Sequence, residues 1–173
     1  FGKGGAYITK ATVQLMRDLG SIQSPQNSFL VNLGLESLHV RMREHSKNGL
    51  AVAEFLAKHE KVQKVNYPGL KTDTYHSLAE KYMPNGCSGV VSFEIKGGRE
   101  AAEKFMTSLK LIAIETHVAD AKSCCLCPSI TTHRQLSDEQ LVEAGVSAGL
   151  VRVSLGIEDA EDLIEDIRQA LEA

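Results

Sequence analysis

Arg152 sits in the run G-L-V-R-V-S-L-G, residues 149–156, where Val151, Val153 and Leu155 alternate with Arg152 and Ser154. In a strand, that alternation sends the three apolar side chains to one face and the guanidinium to the other. On a face covered by another domain or subunit, a guanidinium binds a carboxylate through two parallel hydrogen bonds. On a solvent-facing surface the same residue is only a surface charge, and periodicity does not choose between the two readings. A second group is C-C-L-C, Cys124 to Cys127, with His117 and His133 nearby. Cys124 and Cys127 have the C-x2-C spacing of half a zinc site. In a strand, however, alternate side chains leave on opposite faces, and a second pair of ligands exists only if the two histidines supply it. Small buried apolar residues are the favoured role for these cysteines. A redox pair is less favoured, because no helix N-terminus follows to lower a thiol pKa. The polar run T-T-H-R-Q-L-S, Thr131 to Ser137, precedes a helix and reads as its cap, and His133 has no partner that would make it catalytic. Lys10 reads as a solvated lysine, since nothing around it resembles a cofactor cradle.

The elements that must position these residues follow from the apolar spacing. Residues 1–26 are glycine-rich and then briefly helical, with Gly20 as a stop and Ser24-Pro25 as a break. Asn27 to about His59 reads as one long helix, with Leu35, Leu38, Met42, Leu50, Val52, Ala53, Leu56 and Ala57 at helical spacing. Gly34 and Gly49 mark places for a bend or a close approach. Lys61–Tyr67, Ser88–Lys96, Leu111–Glu115, Lys122–Leu126 and Leu150–Leu155 are strand candidates. Thr74–Tyr82 and Arg99–Lys110 are helix candidates, and so is Asp159–Leu171. Ser137 opens a further helix, with Gln140 three residues on in the spacing of a capping box. The fold predicted is α+β: a small antiparallel sheet of about four strands, covered by helices on one face and preceded by a long connecting helix. The domains predicted are a tail of a larger domain at 1–26, the connecting helix at 27–59, and an α+β domain at 60–173.

Composition narrows the classes. The 173 residues carry 19 Lys and Arg against 22 Asp and Glu, a net charge of −3 with both signs interspersed. That balance gives no electrostatic case for nucleic acid or an anionic membrane. No apolar run is long enough to span a bilayer, and no secretory leader is visible. Four cysteines, three of them crowded together, are not a spaced disulfide framework. A cytoplasmic setting is expected. The chain opens on Phe1, so a processed chain or a piece of a longer one is expected.

Residues 129–171, S-I-T-T-H-R-Q-L-S-D-E-Q-L-V-E-A-G-V-S-A-G-L-V-R-V-S-L-G-I-E-D-A-E-D-L-I-E-D-I-R-Q-A-L, closely resemble the carboxy-terminal end of the Cys/Met-metabolism family of pyridoxal-phosphate enzymes. F-G-K-G-G-A-Y-I-T-K-A-T-V-Q-L-M-R-D-L-G and S-P-Q-N-S-F-L-V-N-L-G-L-E-S-L-H-V-R-M resemble the segment that leaves the family's cofactor domain and enters its connecting helix. N-Y-P-G-L at Asn66–Leu70 and D-A-K-S at Asp120–Ser123 fit too. The chain departs from the family pattern at His117-Val118-Ala119-Asp120, where N-V-G-D is usual, and at Cys127-Pro128-Ser129-Ile130, where H-P-A-S is usual.

The resemblance implies the carboxy-terminal domain of a fold-type I pyridoxal-phosphate enzyme of amino-acid metabolism. The implied activity is a γ-replacement on an O-acylated homoserine, with sulfide or a thiol entering, in methionine biosynthesis. Elimination or cystathionine chemistry by a related member is an alternative, and so is a non-catalytic α+β module that binds a small molecule or a protein. The implied substrate-binding residues are Arg152, clamping the α-carboxylate, and Ser123, helping to position it. The Schiff-base lysine and the phosphate-binding residues are implied to lie outside this chain, so no pyridoxal phosphate is expected on it alone. No metal, nucleic acid or membrane partner is implied. A homo-oligomer, a tetramer for the full-length family, is implied.

Overall fold

The structure, a computed structural model, describes residues 4–173. Phe1, Gly2 and Lys3, with which the first resembling segment opens, lie outside the described residues. The chain divides into two compact units, residues 1–39 and 40–173.

In the first unit, α1 (Ala6–Thr9) runs into a π-helical stretch, Lys10–Met16, and on into α2 (Arg17–Leu19). Gly20 ends it at φ 67°, the left-handed conformation that glycine adopts without steric penalty. The Ser24-Pro25 break then opens α3 (Pro25–Glu36): the Ser24 hydroxyl accepts from the Asn27 amide at 3.2 Å, and Pro25 sits in the first turn. No described residue of this unit is buried, and Phe29, Leu30, Val31, Leu33 and Leu35 are all exposed.

The long helix expected from Asn27 to His59 is interrupted at Ser37 and resumes as α4 (Leu38–Leu56). Within the second unit α4 buries His45, Asn48, Gly49, Val52, Ala53 and Leu56, spaced three and four apart on one stripe. Leu50, expected on that stripe, is exposed. Gly49 is the close approach: a Cβ there would lie 2.5 Å from the Ser88 carbonyl oxygen and 3.0 Å from the Tyr67 hydroxyl.

Beneath α4 lies a five-stranded sheet of β1 (Val62–Asn66), β2 (Val90–Ile95), β3 (Ala113–Ile114), β4 (Cys124–Leu126) and β5 (Leu150–Ser154). Its order is β1-β2-β5-β4-β3. The other helices are α5 (His76–Tyr82), α6 (Gly98–Ser108), α7 (Asp138–Glu143) and α8 (Ala160–Glu172). The α+β class and the small sheet of about four strands stand, at five strands, but the sheet is mixed where an antiparallel one was expected, since β3 pairs with β4 in parallel. The physical reason is residues 115–123, which carry the chain back to start β4 alongside the start of β3 instead of reversing it in a tight turn.

The core is a single cluster between the sheet and three helices. Val91 and Phe93 from β2, Val151 and Val153 from β5, and the adjoining Leu155 meet Val52 and Leu56 of α4, Phe105 of α6, and Leu163 and Ile167 of α8. The Phe93 and Phe105 rings meet edge to face, with centroids 5.6 Å apart. The sequence alternation therefore holds, with Val151, Val153 and Leu155 all at 0% exposure.

Candidate functional site

The central strand fixes where Arg152 points. In the antiparallel ladders Arg152 lies opposite Ser92 of β2 and Leu126 of β4, between the fully buried Val151 and Val153. Its side chain leaves on the face away from the core helices, where it is half-buried. Residues 115–123 cross this face. Arg152 Nη2 donates to the carbonyl oxygens of Thr116 at 3.0 Å and His117 at 3.4 Å. The neighbouring Ser154 hydroxyl accepts from the Ala119 amide at 3.0 Å, which fixes the same crossing. Ala119 holds φ 61° there, in the left-handed region.

These bonds leave a donor over. Arg152 Nε is buried and has no hydrogen-bond partner among the described residues. Two neutral carbonyls do not neutralise a guanidinium, and a buried unpaired N–H costs about 1–3 kcal/mol. A carboxylate answers both needs, since it carries the opposite charge and accepts side by side from a planar fork.

Around Arg152 the crossing brings titratable groups that sequence reasoning did not join to it. His117 Nδ1 lies 3.1 Å from Glu115 Oε2 and 3.9 Å from Asp120 Oδ2. The Cys124 thiol donates to the His117 carbonyl at 3.1 Å, so that oxygen serves both Cys124 and Arg152. Burial raises the Cys124 pKa from its ordinary value, and the nearby Arg152 charge works against that rise.

Ser123 is placed differently from Arg152. Cys124 pairs with Ser154, and Leu126 with Arg152, so Ser123 points by alternation away from the Arg152 face. Its hydroxyl donates to Glu158 Oε2 at 2.8 Å and accepts from the Gly156 amide at 2.7 Å, while its own amide donates to Glu158 Oε1 at 2.6 Å. Ser123 is 1% exposed. The structure thus ties it to the turn that ends β5. A Cβ on Gly156 would lie 2.3 Å from the Ala121 carbonyl oxygen, so only glycine lets this turn close.

Cys125 and Cys127 join the hydrophobic core and Cys124 is buried, as expected of small apolar residues. Among the described residues no group of three or more His, Cys, Asp and Glu is placed to hold a metal ion. Thr131 and His133 follow β4 in a turn closed by bonds from Thr131 Oγ1 to the Cys127 carbonyl and from the His133 amide to the Pro128 carbonyl. Lys10 is exposed, with its ammonium on Gln14 Oε1 at 2.6 Å. No helix among the described residues is long and apolar enough to cross a membrane.

The sequence pattern of the family described as Cys/Met metabolism PLP-dependent enzyme matches residues 3–172. The chain belongs to this family. Among its relatives in the Cys/Met metabolism family, an O-acetyl-L-homoserine sulfhydrylase of Leptospira meyeri is 47% identical over 96% of this chain and 38% of its own length. A homocysteine synthase of Schizosaccharomyces pombe is 44% identical over 96% of this chain and 39% of its own. A cystathionine gamma-lyase of Homo sapiens is 43% identical over 92% of this chain and 39% of its own. A solved structure of a putative O-acetylhomoserine (thiol)-lyase from Campylobacter jejuni, which holds N'-pyridoxyl-lysine-5'-monophosphate, superposes with a TM-score of 0.88 at 40% identity. That match covers 97% of this chain and 40% of the other. The chain thus spans about two-fifths of the length of the family members it matches.

Arg152 and Lys10 do not fit the family's cofactor itself. The face that residues 115–123 cross holds one guanidinium with a buried, unpartnered Nε, which suits a carboxylate. Lys10 is exposed and its ammonium donates to the Gln14 side chain, so it is not desolvated as a Schiff-base lysine must be.

Proposed function

We propose that this chain is the carboxy-terminal α+β domain of a pyridoxal-phosphate enzyme, and that its share of the work is to bind the substrate's α-carboxylate through Arg152. The orphaned, buried Nε beside a guanidinium already anchored by two carbonyls is the observation that carries the reading. The crossing at Thr116 and His117 sets the plane of the guanidinium, and the remaining donors receive the carboxylate. Binding there orients the amino acid at its α-carbon before any bond changes, the role that positioning plays in an enzyme. Pyridoxal phosphate, bound by residues other than Arg152 and Lys10, would supply the electron sink.

The reaction proposed is the γ-replacement of an O-acylhomoserine: the γ carbon–oxygen bond breaks, the acyloxy group leaves as a free carboxylic acid that takes up the thiol's proton, and sulfide or a thiol forms the new carbon–sulfur bond while the α-carboxylate is retained. The kinship with a sulfhydrylase and a homocysteine synthase supports it. The cystathionine gamma-lyase kinship favours a second reading, γ-elimination, in which the γ-substituent leaves without replacement and water hydrolyses the remaining imine to an α-keto acid and ammonia. Ser123 is proposed to act on the carboxylate site indirectly, by fixing the Gly156–Glu158 turn at the end of β5. The domain bounds proposed are 1–26, 27–59 and 60–173, and the assembly proposed is a cytoplasmic homo-oligomer, for which the exposed apolar residues of α3 supply uncovered surface.

The test is Arg152→Met in the full-length enzyme. Loss of a charge-assisted pair is expected to cost about 2–4 kcal/mol, so kcat/KM for the amino-acid substrate falls roughly 30- to 1000-fold. Arg152→Lys, which keeps the charge without the fork, recovers part of that loss. An unchanged kcat/KM in Arg152→Met refutes the assignment.

A further inference from the structure

We propose that His45 of α4 is a positioning residue for Arg152, acting through the backbone at the end of β5; the inference rests on the carboxylate-binding reading above. His45 is 1% exposed, and its Nδ1 donates to the Leu155 carbonyl at 2.6 Å across 110 residues of chain. A carbonyl only accepts, so the proton is on Nδ1. One turn further along α4, Asn48 Nδ2 donates to the carbonyls of Gly156 at 3.1 Å and Glu158 at 2.8 Å. From the other side, the Leu155 amide donates to the Gly89 carbonyl at 2.8 Å and the Gly156 amide to Ser123. The end of the strand that bears Arg152 is therefore held from α4 and from the residues that lead into β2 and β4. The helix sits directly on it: a Cβ at Gly89 would lie 2.6 Å from the Leu155 carbonyl oxygen and 3.3 Å from the His45 Cβ.

Packing alone does not explain these residues. The rest of the α4 stripe is glycine, valine, alanine and leucine, yet His45 Nε2 and Asn48 Oδ1 are buried with no hydrogen-bond partner among the described residues. Apolar side chains of similar size would fill the space without that penalty. What they would not supply is directed bonds to the Leu155, Gly156 and Glu158 carbonyls, which set the position of the strand rather than merely filling the space above it. Arg152 lies three residues upstream of Leu155, about 10 Å along the strand. At that lever length a slip of the strand end displaces the guanidinium from its hold on the substrate carboxylate, which weakens binding of the amino acid.

The test compares His45→Asn with His45→Leu in the full-length enzyme loaded with pyridoxal phosphate. An asparagine amide places an N–H where Nδ1 stood, whereas leucine fills the space without donating. His45→Leu is expected to raise KM for the amino-acid substrate about tenfold with kcat changed by less than about twofold, and His45→Asn to return KM to within about threefold of the wild type. If His45→Leu does not yield folded protein, His45→Gln, whose donor is displaced by one methylene, replaces it with the same expected rise. A KM unchanged in the leucine or glutamine variant, or one raised equally in His45→Asn, overturns the proposal. Arg152→Met run alongside separates the two failures: an effect there with none at His45 sinks only the positioning role, and no effect at Arg152 sinks the carboxylate site itself.

Discussion

Ala119 is the residue at which the site's geometry is held against steric preference. Its φ of 61° is uncommon for a residue with a Cβ, and the conformation costs about 1–2 kcal/mol relative to a glycine. Its amide nevertheless donates to the Ser154 hydroxyl, and the crossing it belongs to delivers the Thr116 and His117 carbonyls to Arg152. Ala119→Gly is expected to relieve the strain, less about 0.4–1 kcal/mol for the freer unfolded chain, so that stability rises by about 0.5 kcal/mol. Denaturant unfolding at neutral pH measures this. A clear loss of stability would show that the alanine side chain makes a contact worth more than the strain. The sequence had already set this position apart, because H-V-A-D stands where the resembling family usually has N-V-G-D. What the sequence did not carry was the reason, a left-handed φ, which is a property of how residues 115–123 cross the sheet.

At the scale of elements, short-range pattern was legible and long-range placement was not. The alternation around Arg152 predicted its face correctly, because period two is a local consequence of strand geometry. The helices expected at Arg99–Lys110 and Asp159–Leu171 were legible for the same reason at period 3.6, and they bury Ala102, Phe105 and Met106 from α6 and Leu163, Ile167 and Leu171 from α8. Ser137 and Gln140 form the capping box their spacing announced. The parallel pairing of β3 was hidden, since a strand of two residues has no period and its partner is chosen by the crossing loop. His45 and Asn48 were hidden because a search for apolar stripes passes over polar residues, although their spacing from Val52 marks them as members. Asp166 belongs to the same hidden class. From α8 its carboxylate accepts from the amides of Lys110 at 2.8 Å and of Leu111 and Ile112 at 2.9 Å each, tying the entry to β3 onto the helix. Asp166→Ala leaves three amides without their acceptor, two of them bound to one oxygen. It is expected to destabilise by about 2–4 kcal/mol, read as a lower denaturant midpoint at unchanged m value. A change below about 0.5 kcal/mol would mean that water replaces the carboxylate there at little cost.

For the whole molecule, the buried thiols and phenol make alkaline pH the direction of weakness. Burial is the first cause of the rise in each case: Cys125 is pushed up from 9.0 to about 12, and Tyr67, Cys87 and Cys124 are also raised. A folded state that keeps its proton to higher pH than the unfolded chain binds more protons in between, so stability falls as pH rises through that window. For Cys125 the window runs from 9.0 to about 12, and its contribution is fully present below it. While the unfolded thiol is ionised and the folded one is not, the loss approaches about 1.4 kcal/mol per pH unit. Urea unfolding of the chain from pH 8 to pH 11 is expected to show a decline that begins near pH 9. Cys125→Val keeps an apolar side chain of similar volume and removes the titrating group, so its decline over the same range should be shallower. Equal slopes in the two proteins would mean that the Cys125 thiol ionises as readily in the folded chain as in the unfolded one, and would contradict the dry environment that its place in the core requires.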